Sequence, residues 1–156
     1  MVGRGGKEDN TVKLLRVEID HFKNILASEP IGIQPDVTCL VGKNESGKTA
    51  VLQALHRFNP AQPNVSFKAQ REYPAWLEKQ HRKQKGIDDH APVIMHFQLE
   101  DAEYARIEKD LRVGTLKSKE LRISRTYNNK FTWSPQINEA AVISGIPSFL
   151  TGLTIA

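Results

Sequence analysis

The chain has 156 residues, of which 39% are hydrophobic and 26% are charged, and its formal net charge is +4. This composition allows one globular domain and excludes a disordered, collagen-like or disulfide-rich chain. The single cysteine, Cys39, cannot form an internal disulfide, and residues 1–11 are polar and carry no apolar signal segment. We therefore expect a flexible leader over residues 1–11 and a cytoplasmic location.

The longest uncharged run, residues 140–156, is shorter than the roughly 20 apolar residues that a membrane-spanning helix needs. Gly145, Pro147 and Gly152 interrupt it. We interpret the run as a buried or interface segment and predict no membrane contact.

Hydrophobic periodicity predicts the elements of the first half. Alternation predicts a half-buried strand over residues 12–20 and a shorter strand over residues 30–33. Residues 37–41, Val-Thr-Cys-Leu-Val, are a β-rich run that predicts a strand buried on both faces. A helix over residues 47–58 should follow, with Val51, Leu52, Leu55 and Phe58 on one face.

The second half predicts a strand-rich section with two helices. In chain order the predicted elements are a helix over 74–85, a half-buried strand over 93–99, a helix over 102–111 and a strand over 120–127, followed by a turn at Asn128 and Asn129 and a return through 131–133. The predicted class is therefore α/β, with a mixed or antiparallel sheet beside the core.

Residues 42–49, Gly-Lys-Asn-Glu-Ser-Gly-Lys-Thr, match the phosphate-binding pattern G-x-x-x-x-G-K-[ST] between a predicted strand and a predicted helix. Gly42 and Gly47 permit close backbone approach to phosphate, and backbone N–H groups meet it at the positive end of the helix. Lys48 supplies charge for the β- and γ-phosphates, and the Thr49 hydroxyl is a candidate Mg²⁺ ligand. Further candidate contacts are Asn44 and Ser46. The alternative, a glycine-rich turn with a solvated lysine, is disfavoured by this context.

Seven basic and only two acidic residues lie between Lys109 and Lys130. Such a stripe suits a polyanion, although a solvated strand surface has the same composition. The candidate nucleic-acid contacts are Lys117, Lys119, Arg122 and Arg125. The five histidines and Cys39 show no metal-ligand spacing, so no zinc site is predicted.

Residues 15–25, Leu-Arg-Val-Glu-Ile-Asp-His-Phe-Lys-Asn-Ile, and residues 39–55 resemble the start of ABC-type ATPases of the SMC/RecF/OLD group. These open with a strand, a Phe-Lys/Arg-polar-hydrophobic turn, a second strand and a Gly-x-Asn-x-Ser-Gly-Lys-Ser/Thr loop. Glu45 and the Thr-Ala-Val-Leu-Gln-Ala-Leu run after Lys48 look most like OLD-family nucleases and related bacterial defence ATPases.

The resemblance implies a P-loop NTPase fold, with residues 12–156 as the N-terminal lobe of an ABC-type ATPase head beside an antiparallel β subdomain. It also implies that Lys23 and Asn24 lie near the nucleotide, and that residues 44–49 hold the phosphates of ATP and Mg²⁺. The glutamine that senses Mg²⁺ in this group is not identified: Gln98 lies inside a predicted strand and Gln136 in a late loop.

Neither a Walker B strand ending in Asp-Glu nor a Leu-Ser-Gly-Gly-like loop is found, because the best candidate, residues 93–101, alternates instead of being continuously apolar. The resemblance therefore implies a partner, either a C-terminal ATPase lobe or a second subunit, in a homo- or hetero-oligomer that acts on DNA.

Two functions stay open. One is the ATP-binding lobe of an ATPase, or of an ATP-dependent endonuclease when complete, in DNA processing, repair or anti-phage defence. The other is a non-catalytic, nucleotide-dependent interaction or sensor subunit. A GTPase is disfavoured because residues 129–132, Asn-Lys-Phe-Thr, do not complete the base-reading motif Asn-Lys-x-Asp, and no lid arginines of a small kinase are identified.

Overall fold

The computed structural model describes residues 12–43, 46–84, 86–111 and 114–138. The predicted leader and the uncharged run over residues 140–156 lie outside these ranges. The described residues form β1 (Lys13–Phe22), β2 (Ile25–Ala27), β3 (Ile31–Gly32), α1 (Lys48–Phe58), α2 (Ala69–Glu72), α3 (Ala75–Gln84), β4 (Val93–Gln98), α4 (Asp101–Leu111), β5 (Leu116–Arg125) and β6 (Phe131–Ile137).

The strands form one antiparallel sheet in the order β2-β1-β4-β5-β6, and β3 also pairs with β1. Val17 lies opposite Met95, Met95 opposite Ile123, and Ile123 opposite Trp133. One row of side chains therefore crosses four strands on the same face. The predicted antiparallel sheet is confirmed.

The core lies between this face of the sheet and α1. Val17 and Ile19 alternate with more exposed neighbours on β1 and are almost fully buried, as the period of two predicts. On α1 the residues in contact with the sheet are Ala50, Val51, Ala54 and Phe58. Their spacing of one, three and four follows the helical period.

Two details of the predicted core are wrong. Leu52 is 59% exposed, so it does not share the buried face of α1. Residues 37–41 are not a strand, and Val37 and Val41 are 72% and 93% exposed. A buried strand needs neighbours that pair with its backbone and cover its side chains. No strand within the described ranges lies alongside residues 37–41.

Other differences are small. α2 was not predicted, and β5 begins four residues earlier than expected, at Leu116. The β5–β6 hairpin turns one residue earlier than predicted: the Asn129 N–H donates to the Thr126 carbonyl oxygen at 2.8 Å, so Tyr127 and Asn128 are the central residues, and Asn129 follows with a positive φ of 64°. No helix in the described ranges is both long enough and apolar enough to cross a membrane.

Candidate nucleotide-binding site

A tight hairpin between β1 and β2 brings two predicted site residues to the start of α1. Phe22 pairs with Ile25, so Lys23 and Asn24 form a two-residue turn, and Lys23 has a φ of 54°. Turns that match the twist of a hairpin need a positive φ at the first central residue. The Lys23 ammonium donates a hydrogen bond to Gln53 Oε1 on α1, which ties the turn to the helix.

The conformation of the loop before α1 depends on its glycines. Gly47 is the N-cap of α1, with φ of 89° and ψ of 2°, and as a glycine it has no side chain with which to cap the helix. The N-cap residue therefore supplies no side-chain acceptor to the first N–H groups of α1, which lie at the positive end of the helix dipole. A Cβ at Gly47 would lie 3.2 Å from Ile25 Cγ1, and one at Gly42 would lie 2.7 Å from Ser46 Oγ.

The Lys48 ammonium is held by the loop itself. Its Nζ donates to the carbonyl oxygens of Gly42 at 2.6 Å and Lys43 at 2.7 Å, and it lies 3.3 Å from Ser46 Oγ. These acceptors fix the cation beside the N-terminus of α1. The arrangement concentrates positive charge where an anion would meet the helix.

A cavity of about 360 Å³ opens between the hairpin turn and α1. Its lining residues are Lys23, Asn24, Gly47, Lys48, Thr49, Ala50 and Gln53. The structure thus brings Lys23 and Asn24 together with Gly47, Lys48 and Thr49, whereas Asn44 and Glu45 lie outside the described residues. Gln53 was missed, although its position four residues after Thr49 on one helix face is a signal that could have identified it.

Comparison with known proteins gives the class of this domain. Residues 13–141 match the profile of the family AAA_15, an AAA ATPase domain. The chain belongs to this ATPase family. A 43-residue segment is 49% identical to the DNA replication and repair protein RecF of Marinomonas sp. (strain MWYL1), and it covers 28% of this chain but only 11% of the RecF protein.

A solved structure described as "structural biochemistry of ATP-driven dimerization and DNA stimulated activation of SMC ATPases" is also similar. It aligns with a TM-score of 0.43 and 15% identity, over 84% of this chain and 75% of the other. Family membership confirms the predicted P-loop ATPase class, and the RecF segment agrees with the predicted relation to RecF-type ATPases. The narrower relation to OLD-family nucleases stays a prediction.

The structure of the ATPase domain separates the four basic residues predicted to contact nucleic acid. Arg122 lies opposite His96 and Arg125 opposite Val93, so these two arginines are on different faces of β5. Arg125 lies on the core face, where its Nη1 donates to the carbonyl oxygens of Arg57 at 2.6 Å and Phe58 at 3.0 Å. Burial lowers the pKa of the Arg125 guanidinium. Arg125 therefore caps carbonyl groups at the C-terminal end of α1.

The two lysines of this predicted set, Lys117 and Lys119, also differ in their surroundings. Lys119 forms an ion pair with Asp101 at the start of α4, and this hydrogen bond raises the pKa of Lys119 and lowers that of Asp101. Lys117 is exposed, as is Arg122. The predicted stripe is therefore not one continuous basic surface.

A polar network that sequence reasoning missed lies on the sheet face opposite α1. His96 is 7% exposed, its Nδ1 lies 2.7 Å from Glu120 Oε1, and its Nε2 lies 2.9 Å from Glu18 Oε1. Arg16 donates to the same Glu120 carboxylate at 2.5 Å. The hydrogen bond from Arg16, and then that from His96, holds the pKa of Glu120 below its ordinary value. The network joins β1, β4 and β5.

Proposed function

We propose that this chain is the nucleotide-binding lobe of a DNA-processing ATPase and that it binds ATP with Mg²⁺ through residues 42–49. The observation that carries the proposal is the cavity at the N-terminus of α1, where Lys23, Lys48 and Thr49 converge around a helix end whose N-cap is Gly47. Membership in the ATPase family supports a nucleotide as the ligand. The similarity to a DNA replication and repair protein supports a role in DNA processing.

The residues of the cavity fit a polyphosphate. Lys48 and Lys23 supply two positive charges, and the N–H groups at the start of α1 can donate to phosphate oxygens. Gly47 lines the cavity, and a Cβ there would contact Ile25 of the hairpin. Mg²⁺ would be held by the Thr49 hydroxyl together with the phosphates, and it would neutralise part of their charge.

The assembly proposal is a second lobe that carries the Walker B strand and docks along residues 37–41. Val37 and Val41 are exposed, and Leu52 is exposed on the adjoining helix. A small apolar cleft of about 80 Å³ lies between this segment, β3 and α1. Exposed apolar surface of this kind is typical of a partner site. The partner strand would supply the backbone pairing that residues 37–41 lack among the described residues.

DNA contact is proposed for the exposed basic residues Lys117 and Arg122, since Arg125 and Lys119 are engaged within the fold. A role in anti-phage defence, with OLD-type nuclease activity in the complete protein, is the narrower form of the proposal. It rests on the sequence resemblance around Glu45.

The experiment is calorimetric titration of ATP and Mg²⁺ into the unmodified chain and the Lys48→Ala variant. Loss of a charge-assisted contact to phosphate costs about 1.5–3 kcal/mol, so we expect affinity to fall roughly ten- to more than a hundredfold. Lys79→Ala is the matched control, because Lys79 is an exposed lysine on α3 away from the cavity. Equal affinity of the Lys48→Ala variant and the unmodified chain would refute the proposal.

A further inference from the structure

A cluster of histidine and aspartate side chains lies at the end of β1, outside the nucleotide cavity. Asp20 and His21 are the residues that precede Phe22 of β1, and His90 lies in the connection between α3 and β4. One ligand atom from each of Asp20, His21 and His90 can be chosen so that all three lie within 4.8 Å of one another. None of the three lines the cavity next to Lys48.

The contacts inside the cluster are short. His21 Nδ1 lies 2.6 Å from Asp20 Oδ1, and His90 Nε2 lies 3.3 Å from the second oxygen, Oδ2. The two imidazole rings meet edge to face, with centroids 5.0 Å apart. The three side chains are between 25% and 36% exposed, so they are neither fully solvated nor sealed from water. An ion could enter and keep a water ligand.

The backbone holds His21 in an unusual conformation. Its φ is 49°, a left-handed value that non-glycine residues seldom adopt and that is found disproportionately at functional sites. The Tyr127 hydroxyl donates to the carbonyl oxygen of His21 at 2.6 Å, which fixes this segment to the turn after β5. A site built on fixed backbone loses little entropy when it binds an ion.

A second layer of aromatic residues surrounds the cluster. The Tyr73 ring stacks on His21 with centroids 5.5 Å apart, and its hydroxyl lies 2.6 Å from His81 Nδ1. The His81 ring is 5.6 Å from that of His21. These ring contacts restrict the orientation of the His21 imidazole.

We propose that Asp20, His21 and His90 bind one Zn²⁺ ion, with a water molecule in the fourth position. Two imidazole nitrogens and one carboxylate oxygen suit Zn²⁺, which takes such ligands at about 2.0–2.2 Å in tetrahedral geometry. Mg²⁺ and Ca²⁺ prefer oxygen ligands only and fit the set poorly. The ion would join the end of β1 to the loop before β4. This inference does not depend on nucleotide binding.

The test is calorimetric titration of Zn²⁺ into the full chain without nucleotide, in a Cys39→Ser background because the exposed Cys39 is itself a zinc ligand. We expect one ion per chain. His21→Ala and His90→Ala should each weaken Zn²⁺ binding more than about tenfold. Loss of a residue that only orients a metal ligand already weakens metal binding by about ten- to a hundredfold. His56→Ala is the matched control, because His56 is exposed on α1, and its binding should be unchanged.

Two further measurements cover variants that fail to fold. Circular dichroism with a chelator present shows whether each variant keeps its helices and strands. Histidine side-chain NMR of the Cys39→Ser chain, with all five histidines retained, should show Zn²⁺ shifting the signals of His21 and His90 but not that of His56. Binding absent up to millimolar Zn²⁺, or binding with unshifted His21 and His90 signals, would overturn the inference and leave a hydrogen-bonded cluster only.

Discussion

Gly47 combines a left-handed backbone with a close neighbour. Its φ is 89°, and an added Cβ would lie 3.2 Å from Ile25 Cγ1, closer than the usual 3.5–4.0 Å between carbon atoms. Gly47→Ala should therefore lower the free energy of unfolding by more than the about 1–2 kcal/mol that left-handed backbone alone costs an L-residue. It should also weaken nucleotide binding.

The matched control for this change is Gly114→Ala. Gly114 has a similar φ of 83°, but an added Cβ there has no neighbour within 4 Å. Urea unfolding of both variants separates backbone strain from the contact with Ile25. If both variants lose the same free energy of unfolding, the contact with Ile25 does not contribute to the loss.

Arg125 has a structural role that its charge conceals. Besides its hydrogen bonds to the end of α1, its guanidinium lies 5.0 Å from the centre of the Phe131 ring. Arg125→Met keeps much of the apolar stem and leaves two carbonyl oxygens without this donor. We expect a loss of about 1.5–3 kcal/mol in the free energy of unfolding. Arg122→Met, an exposed change on the opposite face, should stay within about 0.5 kcal/mol. Similar losses in both variants would contradict this assignment.

Which residues could be identified from the sequence depends on how local their signal is. Lys48 and Thr49 belong to one contiguous pattern, so their place at the start of a helix was predictable. His21 and His90 are 69 positions apart in the numbering, and only the pairing of β1 with β4 brings them together. Arg125 differs again, because its partners are backbone carbonyl groups, which have no sequence signature.

At the scale of elements, periodicity identified the half-buried strands and failed for residues 37–41. β1 and β4 alternate because each has one face on the core, and this pattern is contained in the strand itself. A strand buried on both faces is uniformly apolar, and its formation depends on neighbours that the run does not specify. A uniformly apolar run can therefore also be an exposed segment, as the exposure of Val37 and Val41 shows.

The polar network across β1, β4 and β5 makes stability depend on pH. Arg16 and His96 hold the pKa of Glu120 below its ordinary value of 4.5. The ionised form is therefore favoured by folding, and its contribution is complete above about pH 4.5 and is lost as the pH falls through the lower folded pKa. We expect the stability difference between the unmodified chain and Glu120→Gln to be largest near neutral pH and to shrink in acid.

Urea unfolding between pH 3 and pH 7 measures this difference. Glu29→Gln is the control, because Glu29 is exposed in the connection between β2 and β3, and the change should have little effect at either end of the range. A difference between Glu120→Gln and the unmodified chain that is constant with pH would show that the ionisation of Glu120 is not linked to folding.

At the scale of the whole molecule, we expect the chain to bind ATP without turning it over alone. Within the described part, the lining of the cavity includes no aspartate or glutamate that could orient an attacking water. Phosphate release should rise from background when a C-terminal lobe with a Walker B strand is added in trans, and Lys48→Ala should abolish the rise. Turnover of about 1 per second or more by the isolated chain would contradict the expectation. Binding without turnover even with the lobe present would favour the sensor alternative.

The order of strands has a consequence for synthesis on the ribosome. Arg16 of β1 lies opposite His96 of β4 in the sheet, and the two are 80 residues apart in sequence. At translation rates of about 5–20 residues per second, Arg16 of β1 is synthesised about 4–16 s before His96 of β4. During that interval its apolar face and unpaired backbone edge are open to other nascent chains. Early binding by a chaperone, or slow aggregation at high expression, is therefore expected to begin at β1.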